Sequence, residues 1–319
     1  RPGVHFDIAL ALQDTDRQLA ANGITTCYHG LTLSWEPGLR SLQSGHEFFA
    51  ALADTRAQLG CDHRVQIRWE TFLLEAVEFM DGWFGGEPQP VLAFNDHTTS
   101  TANKLADGSH RKLNEWAERA GISADEYVSL FNDIWSRRGE VPAAIDKVAA
   151  CARDNGTVML SHDDRLRCER LHYRGLGVDV CEFPMSREVV EEARHADEHT
   201  VLGAPNVVRG GSHNGALAAA PLVQEGLCTV LASDYYYPAL SAAQARLMTE
   251  YDRSVSDVWH LVSAAPADAM RLANRGRIEI GLRADIVLAR LDEHRRFHIE
   301  ATIANGRLVH LGGHERLFC

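Results

Sequence analysis

Short apolar runs recur along this chain, and four of them end on a side chain that can bind a metal or move a proton. Val65-Gln66-Ile67-Arg68-Trp69 leads into Glu70, and Val91-Leu92-Ala93-Phe94-Asn95-Asp96 into His97. Thr157-Val158-Met159-Leu160-Ser161 leads into His162, and Thr229-Val230-Leu231-Ala232-Ser233 into Asp234. A strand buried on both faces of a parallel sheet reads as such a near-continuous apolar run, and it delivers chemistry at its C-terminal end. Two imidazoles and two carboxylates are also a donor set for a hard-to-borderline divalent metal. The one pattern therefore constrains both the fold and the site.

Between these runs the spacing is helical. Residues 7–22 place Ile8, Leu12 and Leu19 near one face, with Gly23 as a stop signal. Strands are predicted over 24–30, 63–70, 91–97, 157–163, 178–184, 201–206 and 228–235, with helices over 47–59, 142–154, 186–196 and 214–225. Such alternation means a parallel sheet covered by helices. An open doubly wound sheet would gather its site near one switch point. Ligand-type residues spread over many strands fit a barrel better, because every strand end there faces one mouth. An eight-stranded barrel needs one more strand, and it belongs before Arg1-Pro2-Gly3-Val4, which reads as the interior of a longer polypeptide.

The segment 104–154 is longer than an ordinary crossover. Leu113, Trp116, Tyr127, Leu130, Phe131, Ile134 and Trp135 are spaced for two helices folding back on each other. A surface insertion is the simpler expectation; a lid over the site is the functional one. Beyond a helix over 264–274, strands over 285–291, 297–304 and 308–311 surround the hairpin turn Asn305-Gly306. The predicted organisation is thus a TIM-like (β/α)8 barrel over 1–274, lacking its first strand and carrying a helical insertion at about 100–155. Residues 275–319 form part of a small β-sandwich appendage.

Composition narrows the function. The 319 residues are 45% apolar and 24% charged, in the range of globular proteins, and 44 acids against 32 bases give a net charge of −12. That balance excludes wholesale nucleic-acid binding but leaves room for a locally basic pocket and a phosphorylated small-molecule substrate. No run approaches the ~20 apolar residues of a membrane span. Cys27, Cys61, Cys151, Cys168, Cys181, Cys228 and Cys319 are scattered and odd in number, as expected of reduced thiols in the cytoplasm. Cys27 and Cys181 lie in apolar runs and read as small core residues.

His162-Asp163-Asp164 offers three groups together: His162 as a metal ligand, and Asp163 or Asp164 as a supporting carboxylate or a helix-capping residue. Glu70 either bridges metals or pairs with a neighbouring arginine. His97 follows Asp96, a second supporting carboxylate, and taken alone reads equally as an ordinary hydrogen-bonding histidine. Asp234 suits the deprotonation of a metal-bound water. In 207–215, Arg209, Ser212 and His213 flank two glycines ahead of a predicted helix, an arrangement that would cradle a phosphate. The spacing is not that of a P-loop, so an ATPase is not indicated.

These segments together resemble the amidohydrolase superfamily of metal-dependent hydrolases, and within it the phosphonate-metabolism diphosphatases. The resemblance is carried by Arg1-Pro2-Gly3-Val4-His5, Gly23-Ile24-Thr25-Thr26, Asp96-His97-Thr98 and Ser161-His162-Asp163-Asp164. Gly203-Ala204-Pro205-Asn206, Gly210-Gly211-Ser212-His213, Ser233-Asp234-Tyr235-Tyr236-Tyr237-Pro238 and the exit Gly281-Leu282-Arg283-Ala284-Asp285 extend it. It implies a divalent metal, zinc by expectation, held by Glu70, His97 and His162, with Asp234 as base or ligand and the Arg209–His213 loop on phosphates. It also implies hydrolysis of a ribose 1-phosphonate 5-triphosphate to the 5-phosphate and pyrophosphate, with homo-oligomers possible. Two departures stand out: the family's first-strand metal pair would precede Arg1, and Thr99-Ser100-Thr101 replaces the family's Pro-Gly-Gln. The rival readings are an amidohydrolase acting on a cyclic amide or amine, and a non-catalytic, metal-poor binding subunit.

Overall fold

The computed structural model describes residues 6–107, 110–211 and 217–312. Asp7 caps α1 (Ile8–Ala21), which leads into β1 (Thr26–Leu33), α2 (Leu42–Thr55), β2 (Asp62–Glu70), α3 (Met80–Phe84) and β3 (Val91–Asn95). The insertion follows as α4 (His97–Ala106), α5 (His110–Ala120) and α6 (Ala124–Ser136), and then α7 (Val141–Asp154) leads to β4 (Met159–His162). Next come α8 (Arg167–Gly175), β5 (Val180–Glu182), α9 (Arg187–His195), β6 (His199–Gly203), α10 (Ala204–Arg209), α11 (Ala219–Gln224) and β7 (Val230–Ala232). After α12 (Ala239–Glu250), α13 (Val255–His260) and α14 (Ala264–Ala269), the chain ends in β8 (Ile286–Leu291), β9 (Phe297–Ala304) and β10 (Arg307–Leu311). Among the described residues no helix is long and apolar enough to cross a membrane.

β1 to β7 form one parallel sheet in chain order, the arrangement of a curled (β/α) barrel with β1 and β7 outermost, while β8 to β10 form a separate antiparallel sheet. Strand alternation sorts the side chains. Tyr28, Val91, Ala93, Leu160, Val180, Val201 and Val230 pack together as the interior layer. Val65, Ile67, Trp69 and Met159, one residue out of phase, pack outward with Leu12, Leu52 and Val148 of the covering helices. The same alternation turns Arg68, Glu70, His162 and Glu182 inward, each at or near a strand's C-terminal end. A one-residue slip in any strand would reverse this.

Four expectations that bear on the site need local correction. The predicted strand 228–235 is β7 only over Val230–Ala232, so Asp234, with a left-handed φ of 54°, lies two residues past its end. The predicted strand 91–97 stops at Asn95, because Asp96 caps a helix by accepting from Thr99 N at 2.8 Å; His97 is therefore the first residue of α4. The predicted strand 201–206 stops at Gly203, where Pro205 starts α10 in a first turn that needs no proline N–H. The loop expected over 207–215 is, as far as it is described, the C-terminal end of α10. Gly210 adopts a left-handed φ of 79° there, and Arg246 Nη1 donates to Val207 O and Val208 O at 3.0 Å. Helix C-terminal carbonyls attract cations, so this stretch is not an N–H cradle for anions. Ser212, His213 and the start of the predicted helix 214–225 lie outside the described residues.

Asp62 ties the start of β2 to the segment that leads into the second sheet. Its buried carboxylate meets Arg56 Nη2 at 2.8 Å, Arg64 Nε at 2.9 Å and Arg275 Nη1 at 2.7 Å, with Arg283 Nη1 at 3.5 Å. Burial alone would raise its pKa, but Arg64 and Arg275 outweigh that and hold it below its ordinary 3.8. A depressed carboxylate contributes stability that is present above its unfolded pKa and lost as pH falls through its folded one. Asp62→Asn is therefore expected to be less stable than the parent at neutral pH, the gap closing as pH drops below about 3.8. Urea denaturation over a pH series checks this, and a pH-independent gap would remove the electrostatic explanation.

Candidate active site

The strand ends open onto a cavity of about 780 Å³ lined by Arg68, Glu70, His97, Asp163, Phe183, Gly203 and Asp234. Donor atoms of His97, His162 and Asp163 all lie within 4.8 Å of one another. β4 delivers His162, and Asp163, with a left-handed φ of 62°, turns back beside it. His97 Nε2 is 3.7 Å from Asp163 Oδ2, and His162 Nε2 is 3.7 Å from Asp163 Oδ1.

Each member has a further partner. Glu70 Oε2 accepts from His97 N at 3.1 Å, while Oε1 accepts from Thr98 N at 3.1 Å and from Thr98 Oγ1 at 2.7 Å. The carboxylate thus sits on the N-terminus of α4, where the helix dipole favours it, with His97 Nδ1 3.4 Å away. His162 Nδ1 lies 2.6 Å from Glu182 Oε2, and Glu182 Oε1 accepts from Gln66 Nε2 at 2.9 Å. The Arg68 guanidinium rests on the His162 ring, with Nη2 3.0 Å from Nδ1 and in contact with Nε2.

The charges follow from this packing. The carboxylates of Asp163 and then Glu70 beside the ring outweigh burial and push the His97 pKa up to about 9. Burial would raise Asp163, but His97, His162 and Arg68 hold it below the usual carboxylate range. Burial raises Asp234, which faces Arg68, Glu182 and His162. A carboxyl group tuned upward in this way is a better proton acceptor at neutral pH.

Two imidazoles and a carboxylate fit a borderline divalent ion by donor chemistry. An ion there would take the place of the proton between His97 Nε2 and Asp163, and Arg68 would have to leave His162 Nε2. Of the remaining predicted residues, Asp96 caps α4 and Arg209 Nη1 donates to Tyr235 Oη at 3.0 Å. Asp164 lies behind the sheet, accepting from Ser161 Oγ at 2.5 Å and lying 3.4 Å from Arg170. Glu182 and Arg68 were not singled out in the sequence. Yet Val180-Cys181-Glu182 carries the same signature of an acid closing an apolar run.

The insertion is a wall of this cavity. Lys104, Lys112, Trp116, Arg119 and Tyr127 line it together with Arg40, Arg165 and Arg209. Leu113, Ala117, Tyr127 and Phe131 join α5 to α6, and Trp35 packs against them. Tyr127 Oη donates to the buried Glu36 Oε1 at 2.8 Å, and Arg119 meets the same oxygen. Tyr127→Phe removes a bond to a charged acceptor, worth about 1.5–3 kcal/mol. Hydrogen exchange is expected to speed up across α5 and α6 by a matching factor, and unchanged exchange would show that the hairpin is held otherwise.

No family model matches the chain. It is 28% identical over 322 residues to the alpha-D-ribose 1-methylphosphonate 5-triphosphate diphosphatase of Escherichia coli strain K12, covering 97% of this chain and 82% of that one. Among solved structures, 5-methylcytosine deaminase from Klebsiella pneumoniae aligns over 95% of this chain and 74% of its own, with a TM-score of 0.59 and 12% identity. N-acetylglucosamine-6-phosphate deacetylase from Pasteurella multocida aligns over 96% and 82%, with a TM-score of 0.59 and 10% identity. At these identities the structural likeness establishes the fold alone, a (β/α) barrel with a small β appendage.

Proposed function

We propose that this amidohydrolase-type barrel is a metal-dependent hydrolase of a phosphorylated sugar, cleaving α-D-ribose 1-methylphosphonate 5-triphosphate or a close analogue to the 5-phosphate and pyrophosphate. The observation that carries the reading is a mouth where His97, His162 and Asp163 converge beneath a rim of Arg40, Lys104, Lys112, Arg119, Arg165 and Arg209. The likeness to the diphosphatase supports the choice of substrate.

In this reading His97, His162 and Asp163 hold a divalent ion, zinc by donor preference. When bound there, such an ion would supply Lewis acidity toward phosphoryl oxygens and lower the pKa of water. Asp234 takes a proton from the attacking water as its oxygen bonds to phosphorus and the phosphoanhydride bond breaks, with pyrophosphate as the leaving group. The rim cations bind phosphate oxygens and spread their charge. Glu182 holds the His162 ring through Nδ1. The raised pKa of Asp234 suits its part.

The test loads purified protein with zinc, adds the ribosyl triphosphate and measures pyrophosphate. Release that depends on metal and falls in Asp234→Asn supports the proposal; no release from metal-replete protein overturns it. Turnover of a dihydropyrimidine-type cyclic amide instead would assign the mouth to amide hydrolysis.

A further inference from the structure

A second donor cluster lies away from the mouth, on the helix-facing side of the first two strands. Cys27 and His29 stand two residues apart on β1 and so share a face, and the parallel register pairs Cys27 with His63 of β2. Donor atoms of the three lie within 4.8 Å of one another. His29 Nε2 is 3.6 Å from Cys27 Sγ and 2.9 Å from His63 Nδ1. We propose that Cys27, His29 and His63 form a second metal site, for a borderline thiophilic divalent ion of the zinc type, cross-linking β1 and β2.

The geometry is near what such an ion needs. Zinc–sulfur bonds of about 2.3 Å and zinc–nitrogen bonds of about 2.05 Å at tetrahedral angles put sulfur about 3.6 Å from nitrogen and the two nitrogens about 3.3 Å apart. The Cys27–His29 spacing already matches, Cys27 and His63 lie within 4.8 Å, and the imidazoles need to part by only a few tenths of an ångström.

The support behind the cluster is also that of a ligand site. His63 Nε2 is 3.1 Å from Asp16 Oδ1, and Asp16 accepts from Gly60 N at 3.0 Å and Cys61 N at 2.8 Å. An ionised carboxylate on Nε2–H leaves the Nδ1 lone pair directed at the cluster, the arrangement that orients metal-binding histidines. Burial lowers the pKa of both His29 and His63, which keeps them neutral and able to ligate. His63 is fully buried, whereas Cys27 and His29 are half-buried, giving the ion a route in and leaving a fourth position for water. Binding releases the Cys27 thiol proton to solvent, and the His29 ring proton settles on Nδ1.

Cobalt separates this site from the mouth, because His97, His162 and Asp163 include no thiol and give no sulfur-to-cobalt charge-transfer absorption. Chelator-stripped full chain titrated with Co²⁺ is expected to develop that near-ultraviolet band, saturating at one equivalent. Cys27→Ser is expected to lose the band and one equivalent of cobalt, while Cys168→Ser at an exposed thiol keeps both. His29→Asn weakens the band's midpoint at least tenfold, which covers the case in which Cys27→Ser fails to fold. A parent protein without the band, or a folded Cys27→Ser that retains it, would overturn the proposal.

Discussion

Arg170→Ala is expected to lower the unfolding free energy by about 3–5 kcal/mol, the cost of removing one partner from a buried charge network. Arg170 is fully buried behind β4. Its Nη1 donates to Ser161 Oγ and its Nη2 to Val178 O, both at 2.6 Å, while Glu198 Oε2 lies 3.1 Å from Nε and Asp164 Oδ2 3.4 Å from Nη1. Without the guanidinium, the buried Asp164 loses its counter-charge, Glu198 keeps only Arg174, whose Nε is 2.5 Å from Oε1, and a side-chain-sized void opens. Asp164 is already pushed up by burial, with Ser161 and Arg170 opposing, so it would take up a proton more readily. Two comparisons isolate the electrostatic part. Arg170→Met keeps most of the volume and should recover only the void's share, and adding Asp164→Asn should recover part of the rest. Urea unfolding of the three variants measures this. A loss below about 1 kcal/mol for Arg170→Ala would mean that the network is no better than a surface ion pair.

Glu182→Gln tests the mouth more directly. Glu182 and His162 are register partners on β5 and β4, and the carboxylate 2.6 Å from Nδ1 sets the ring's tautomer and direction. Burial would raise Glu182, but His162, Arg68 and Gln66 hold it below the ordinary range, so it is an anion against the ring. Losing such an outer partner typically costs about 10–100-fold in metal affinity or activity. We therefore expect zinc affinity at the mouth to fall by about that factor in Glu182→Gln with little change in stability, because Gln retains the shape and one acceptor. His162→Ala, which removes a donor outright, should fall further. Zinc titration calorimetry reads both. Equal affinities in parent and Glu182→Gln would take His162 out of the metal site and leave its role to Asp163 and His97 alone.

Much of this molecule is legible along the chain because parallel strands and amphipathic helices are written in local periodicities. All seven predicted barrel strands are present, and β9 matches its predicted bounds residue for residue. Asn305 and Gly306 adopt left-handed φ values of 51° and 74°, the conformation an Asn-Gly hairpin turn requires. His162 and Asp234 were visible because an apolar run that stops on a ligand residue is a local feature. Strand ends were less legible where a cap competed: Asp96 and Pro205 start helices inside runs that read as strand.

Pairings between distant segments were not legible. Glu182 bears the signature of a strand-end acid, but only the β4–β5 register puts it on His162. Arg68 read as a neighbour of Glu70 until the curled sheet laid it across that ring. The insertion's helices were predictable from spacing, yet Tyr127 and Arg119 become a wall of the site only because Glu36, far away in sequence, is buried beneath them. The same holds for Cys27, which looked like a small core residue until parallel pairing set His63 beside it. The four residues that close apolar runs were thus determined locally, by alternation and burial. Which of them converge, and which carboxylate holds which imidazole, was decided by register and sheet curvature, since donor atoms within hydrogen-bond reach come from strands that no short window of sequence contains.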